Sequence, residues 1–381
     1  MHEVHGAVEA PDVAAYEADG VILLRACLTA AEVAALRDVV DSARRAPGAF
    51  SGVMGDKGGW TTKFLWQREP AVRAVAMHSR LAKAVADLMR TRRTNLLYDH
   101  TCVKEPGDTA PTLWHHDINY LPVEPPDAFA SAWVALDDVG ARQGRLEFVR
   151  GSHRWRNESD NTTRRFTPMD FPRMAAVEDD EWTHPENPFR RGFEALPDIE
   201  ADRTAFDIDS ADVRSGDVLV FHGLTLHYSA GNADPAHRRR AISLRYAGEA
   251  ARFTPRNRGI TSGWPAPGPE ALLTVGSPLT CEIWPVAHDG MLSDDGGGGA
   301  RAARADRDAA TSGSVAGGPA AGAQHGGHGA AAPQSRPRAR SNTSKRARDE
   351  DEDALADALQ AGTVGGAKRW RHARGGCAWE V

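Results

Sequence analysis

Cysteine is scarce in this chain of 381 residues: Cys27, Cys102, Cys281 and Cys377 lie far apart, and no two form a CxxC pair. That spacing excludes a cysteine zinc site and a disulfide-stapled secreted scaffold, and it reads as a chain of a reducing compartment. No run of about 18 apolar residues occurs, so no membrane-spanning helix is expected. The N-terminus lacks the basic and then apolar pattern of a secretory signal. A cytoplasmic protein with no membrane partner is therefore expected. Without a secretory route, the glycosylation-type triplets at Asn157, Asn161 and Asn342 carry no weight. A basic excess is missing as well: 46 Lys plus Arg against 52 Asp plus Glu gives a formal net charge of −6. That balance argues against a general nucleic-acid partner.

The charge is unevenly spread. From Arg301 onward there are 13 basic and 9 acidic residues, so residues 1–300 carry a net −10. Those last 81 residues also hold 21 Ala and 12 Gly, a bias that cannot supply the large apolar side chains of a packed core. Four glycines, Gly296–Gly299, lead into them. The reading is a domain over residues 1–290 and a low-complexity, disordered tail over 291–381. In that tail, Lys345-Arg346-Ala347-Arg348 beside Asp349–Asp353 is a candidate nuclear-import patch, although a solvated charge run accounts for it more simply. Lys368-Arg369-Trp370-Arg371 is too short to establish nucleic-acid binding.

Val21-Ile22-Leu23-Leu24 reads as a buried strand, and Thr29 with Glu32 has capping-box spacing ahead of a helix carrying Val33, Leu36, Val40 and Ala43. A second helical region starts near Pro70 and runs to about Met89 through Leu81, Val85 and Leu88. The first 90 residues thus read as mainly helical. From Asn95 the period becomes two, as in a strand that ends at Pro106-Gly107-Asp108. Leu113–Asn119, Ser131–Leu136, Leu146–Val149, Val218–Phe221 and Ala241–Tyr246 are further strand candidates. Short strands between Gly and Pro turns predict an antiparallel sandwich or barrel, mainly β, with the early helices flanking it. The long polar connection Arg154–Asp212, with Arg164-Arg165 and Arg190-Arg191, is either a surface excursion or a cover over the barrel mouth.

The strongest local signal is Trp114-His115-His116-Asp117. In a strand, His115 and Asp117 share a face and can present an imidazole and a carboxylate to one centre. A distal histidine is needed, and His227 in Leu226-His227-Tyr228-Ser229 supplies it, with His222 its rival five residues earlier. Two histidines and one carboxylate form the facial set of non-haem Fe(II) oxygenases. Such sites also need a cation for a dicarboxylate cosubstrate, and Arg238-Arg239-Arg240 leads into the last strand candidate. His116, His153 and His222 read as structural groups or supports behind the ligands.

The sequence resembles the phytanoyl-CoA dioxygenase family of Fe(II)/2-oxoglutarate-dependent oxygenases. Its likeness runs through Tyr16–Val21, Val103-Lys104-Glu105-Pro106-Gly107, Trp114–Asp117, Gly151-Ser152-His153-Arg154 and Gly216-Asp217 to Tyr246. The resemblance implies a double-stranded β-helix of the jelly-roll, cupin-like type, with His115, Asp117 and His227 as iron ligands. It further implies 2-oxoglutarate contacts from Lys104, Trp133, Ser229 and one arginine of the triple run. Counting forward from His227 gives Arg238, whereas aligning back from Ala241 gives Arg239. Strand parity favours Arg239, which shares a face with Ala241 and Ser243. The implied activity is hydroxylation of a small organic substrate with Fe(II), 2-oxoglutarate and O₂. An inactive jelly-roll binding module and a zinc-type hydrolase are the alternatives.

Overall fold

The chain enters through β1 (Glu3–His5), α1 (Ala10–Asp19) and β2 (Val21–Arg25). Gly20 ends α1 in the left-handed conformation, φ 76°, and a Cβ there would lie 2.3 Å from His153 Nδ1, so both backbone and space demand glycine. Thr29 caps α2 (Ala30–Arg45) by the expected reciprocal pair: its Oγ1 accepts from the Glu32 amide at 3.2 Å, and its own amide donates to Glu32 Oε2 at 2.8 Å. Val33, Leu36, Val40 and Ala43 are buried, as the spacing predicts. There follow β3 (Ser51–Met54), β4 (Gly59–Lys63), α3 (Leu65–Arg68), α4 (Pro70–His78) and α5 (Arg80–Leu88). The helical region expected over Pro70–Met89 is two helices, because Ser79 turns extended (ψ 173°) and its Oγ accepts from the Leu81 amide, starting a new helix. β1, β3 and β4 were not legible, being three to five residues long and without a sustained period.

Next come β5 (Arg93–Lys104), β6 (Thr112–His115), β7 (Val123–Glu124), β8 (Phe129–Ala135), β9 (Leu146–Val149), β10 (Arg165–Phe166) and β11 (Phe193–Glu194). After them lie β12 (Ile208–Ser210), β13 (Val218–His222), β14 (His227–Ser229), β15 (Arg239–Gly248), β16 (Arg252–Phe253) and β17 (Val286–Asp289). This computed structural model describes residues 1–54, 57–118, 121–159, 161–166, 193–254, 265 and 268–290, with the backbone of 372–373 and 376–377. The chain divides into two units, residues 1–293 with 367–381 and residues 294–366, and every described residue belongs to the first.

The larger sheet has the order β1-β2-β13-β8-β15-β5-β4-β3, with β17 also on β5; the smaller is β12-β9-β14-β6. Apart from the parallel β1–β2 pair, neighbouring strands of both sheets run antiparallel. Leu219, Phe221 and Trp133 of the larger sheet pack with Leu146 and Phe148 of the smaller, so the two sheets face each other. On the other side of the larger sheet, Val134, Val220, Ile242 and Leu244 join Leu36, Val40, Val72 and Val85 of the helices in one core. This is the mainly β, helix-flanked jelly roll that was expected. β12 went unrecognised because Ile208-Asp209-Ser210 holds a single apolar residue. Of the long connection, residues 167–192, including Arg190-Arg191, lie outside the described residues, as does nearly all of the proposed tail. Among the described residues no helix is long and apolar enough to cross a membrane.

Candidate active site

Three central strands build the inner floor of the site through their register. Tyr98 of β5, Arg245 of β15 and Ser131 of β8 stand in one row; His100, Ser243 and Trp133 form the next; Cys102, Ala241 and Ala135 the third; Lys104 and Arg239 the last. Facing them, β6 and β14 are paired so that His115 lies opposite His227. β6 stops at His115, so Asp117 lies just beyond the strand rather than within it, a correction to the expected Leu113–Asn119.

His115, Asp117 and His227 are all buried, and one ligand atom of each lies within 4.8 Å of the others. Asp117 Oδ1 is 3.7 Å from His115 Nε2 and 3.8 Å from His227 Nε2. The tautomers follow from the backbone: His115 Nδ1 is 2.7 Å from the Leu113 carbonyl and His227 Nδ1 is 3.0 Å from that of Thr225. Carbonyls only accept, so both Nδ1 atoms donate, and each Nε2 keeps a lone pair toward the centre. Burial, with His115 adding to it, holds His227 down at about 3, which keeps its imidazole neutral. For Asp117, burial alone would raise the pKa, but Arg245, His227 and His115 outweigh it and hold the carboxyl well below its ordinary value. Two imidazole nitrogens and one carboxylate oxygen suit a divalent iron, so the donor set fits that metal.

The two candidate arginines are placed differently. Arg238 is 40% exposed and pairs with Asp41 at 3.2 Å and Glu105 at 3.3 Å. Arg239 is 2% exposed and points inward: Nη1 donates to Gly144 O at 3.1 Å and Ser229 Oγ at 3.2 Å, and the guanidinium lies 5.5 Å from the Trp133 ring centroid. Among the described residues it has no ion pair, its Nε has no hydrogen-bond partner, and burial pulls its pKa down. Lys104 Nζ lies beside it, donating to Ser229 O and Oγ at 3.1 Å each and to Ala230 O at 2.6 Å. Arg239, Lys104, Trp133 and Ser229 thus come together as predicted, while Arg238 does not join them.

His116, His153 and His222 stay outside the triad. Both ring nitrogens of His116 lack partners among the described residues, and its ring sits 5.3 Å from that of Phe166. His153 donates through Nε2 to Glu17 O at 3.1 Å, and His222 Nε2 lies 3.2 Å from Asp127. Arg164 and Arg165, candidate anion contacts of the long connection, pair instead with Glu194 and Glu124. Sequence reasoning missed Arg245 and Ser131, which both grip Asp117; the available signal was parity, since Arg245 continues the Arg239, Ala241, Ser243 series.

A jelly roll with two histidines and a carboxylate between its sheets, beside a buried cation that lacks an acidic partner, defines the iron- and 2-oxoglutarate-dependent oxygenases as a class. The phytanoyl-CoA dioxygenase (PhyH) family model matches residues 16–241. The chain belongs to the phytanoyl-CoA dioxygenase family. A Caenorhabditis elegans protein named "Probable phytanoyl-CoA dioxygenase" is 23% identical over 254 residues, 61% of this chain and 73% of that protein. The peroxisomal phytanoyl-CoA dioxygenase of Homo sapiens is 25% identical over 158 residues, 40% of each chain. Among solved structures, the non-heme alpha ketoglutarate dependent carbocyclase SnoK from nogalamycin biosynthesis superposes with TM-score 0.57 at 24% identity, covering 74% of this chain and 99% of its own. EctD from S. alaskensis, solved with 2-oxoglutarate and 5-hydroxyectoine, gives 0.52 at 19% identity, covering 72% and 87%. At these identities the structural likeness is one of fold. The cofactors of the class are iron and 2-oxoglutarate, and the chain is by class a 2-oxoglutarate-dependent oxygenase.

Proposed function

We propose that this oxygenase hydroxylates a C–H bond of a small organic substrate, with His115 Nε2, Asp117 Oδ1 and His227 Nε2 holding the iron. The observation that carries the reading is the convergence of that triad with a buried Arg239 lacking an acidic partner among the described residues. When bound, Fe(II) and 2-oxoglutarate supply the O₂-derived oxidant, with CO₂ and succinate as coproducts. Arg239 receives the distal carboxylate of the cosubstrate through its guanidinium fork. Lys104 adds positive potential, Ser229 braces both cations, and the Trp133 ring walls the cosubstrate off from water. Asp117 opposes a halogenating role, because halogenating relatives of such oxygenases replace the carboxylate with a small residue to admit halide.

Anaerobic addition of Fe(II) and 2-oxoglutarate should produce a visible charge-transfer band that Asp117→Ala abolishes. Absence of the band from the wild type, or its persistence in the variant, sinks the assignment. Since SnoK is called a carbocyclase, the reaction outcome is tested separately by mass spectrometry. Hydroxylation adds one oxygen atom, whereas ring closure removes two hydrogens. Residues 1–290 are read as the catalytic unit, so a chain ending at residue 290 should keep the band.

A further inference from the structure

Two side chains of the larger sheet hold Asp117: its Oδ2 accepts from Ser131 Oγ at 2.6 Å and from Arg245 Nη1 at 2.6 Å, whereas Oδ1 accepts from Arg245 Nη2 at 3.1 Å and faces the two Nε2 atoms. Arg245 is itself braced: Nη1 donates to Ser243 Oγ at 2.6 Å, and Tyr98 stands opposite it on the neighbouring strand. The row Tyr98, Arg245, Ser131 crosses three adjacent strands, so its geometry is set by the sheet ladder rather than by a loop. Arg245 also lies beyond the residues matched by the family model.

We propose that Arg245, together with Ser131, is a positioning residue that fixes Asp117 as a one-oxygen ligand, with Oδ1 aimed between His115 and His227. The proposal rests on the oxygenase reading above. A free carboxylate can rotate and chelate a metal through both oxygens, which fills a position that cosubstrate or O₂ requires. Here, turning Oδ2 toward the metal breaks two short bonds, one of them charge-assisted, in a site buried from water. The guanidinium fork therefore determines how many positions stay open as well as where the carboxylate points.

The test uses the full-length protein with Co(II) as the probe, titrated calorimetrically and followed by its d–d absorption, in wild type, Arg245→Met, Arg245→Lys and Ser131→Ala. Arg245→Met should bind Co(II) about 10–100-fold more weakly, the usual cost of losing a residue that orients a ligand, with an altered d–d spectrum. Arg245→Lys, which keeps the charge but not the fork, should fall between it and the wild type, and Ser131→Ala should lose less. Wild-type affinity and spectrum in a folded Arg245→Met overturn the proposal. Should that variant fail to fold, unchanged affinity and spectrum in both Arg245→Lys and Ser131→Ala overturn it. A wild type that forms no Fe(II)/2-oxoglutarate band sinks the oxygenase reading itself; a normal wild type with unaffected variants sinks only the role of Arg245.

Discussion

On β15, Ile242, Leu244 and Tyr246 face the helices among apolar side chains, whereas Arg239, Ser243 and Arg245 face the opposing sheet. Both faces are buried, so solvent does not distinguish them. Two aspartates make the contrast quantitative. Asp99, on the helix side of β5, accepts the Leu65 and Trp66 amides at 3.1 and 2.8 Å, yet burial outweighs these bonds and raises it to about 6. Asp117, in the interior, is as deeply buried and is held well below its ordinary value, because Arg245 and the histidines surround it. Burial depth therefore does not decide whether this protein tolerates a charge; the neighbouring partners do. The outer face stabilises the fold, and the inner face carries the charges that the proposed function assigns to holding metal and cosubstrate.

Substituting each face in turn should separate these roles. The largest expected effect is on Arg239→Met, which should lose about two orders of magnitude or more in 2-oxoglutarate affinity, measured by quenching or calorimetry. Its thermal midpoint should stay level or rise, because a buried cation without an acidic partner among the described residues is removed. A lower midpoint with unchanged affinity would place Arg239 among the structural residues. Leu244→Ala should do the reverse, costing about 2–5 kcal/mol in denaturant unfolding while cosubstrate affinity in the folded protein is kept. Next comes pH. The folded state holds the Asp99 proton up to about 6, against about 3.8 when unfolded, so this residue's stabilising contribution is complete below 3.8 and fades as pH rises through 6. Its slope is at most about 1.4 kcal/mol per pH unit, and unfolding curves of Asp99→Asn should lack it. The smallest effect belongs to Arg238→Met, whose partly exposed pairs with Asp41 and Glu105 should be worth about 1 kcal/mol or less, with cosubstrate affinity unchanged.

Much of the inner face was legible in the sequence, for a physical reason. A strand has a period of two, so Arg239, Ala241 and Ser243 declare a shared face without further information. Two departures show where that reasoning stops. Asp117 reaches its place from just beyond the end of β6, and period says nothing about the path of a chain after a strand ends. The grip of Arg245 on Asp117, with Ser131 beside it, depends on the register of β15 against β8, more than a hundred residues apart in sequence, and a single chain does not encode that register locally. The helix-side core was read from its 3.6-residue period, but β1, β3, β4 and β12 are too short to show any period.

The position of β2 between β1 and β13 bears on how the protein is made. β2 gains its antiparallel partner, Val218–His222, only after about two hundred further residues have been synthesised. At roughly 5–20 residues per second, the apolar Val21-Ile22-Leu23-Leu24 segment leaves the ribosome some 10–40 s before that partner exists. Of its neighbours in the finished fold, β1 and the helices that share a core with Ile22 and Leu24 are made early, whereas Val21 and Leu23 pack with residues of the later strands.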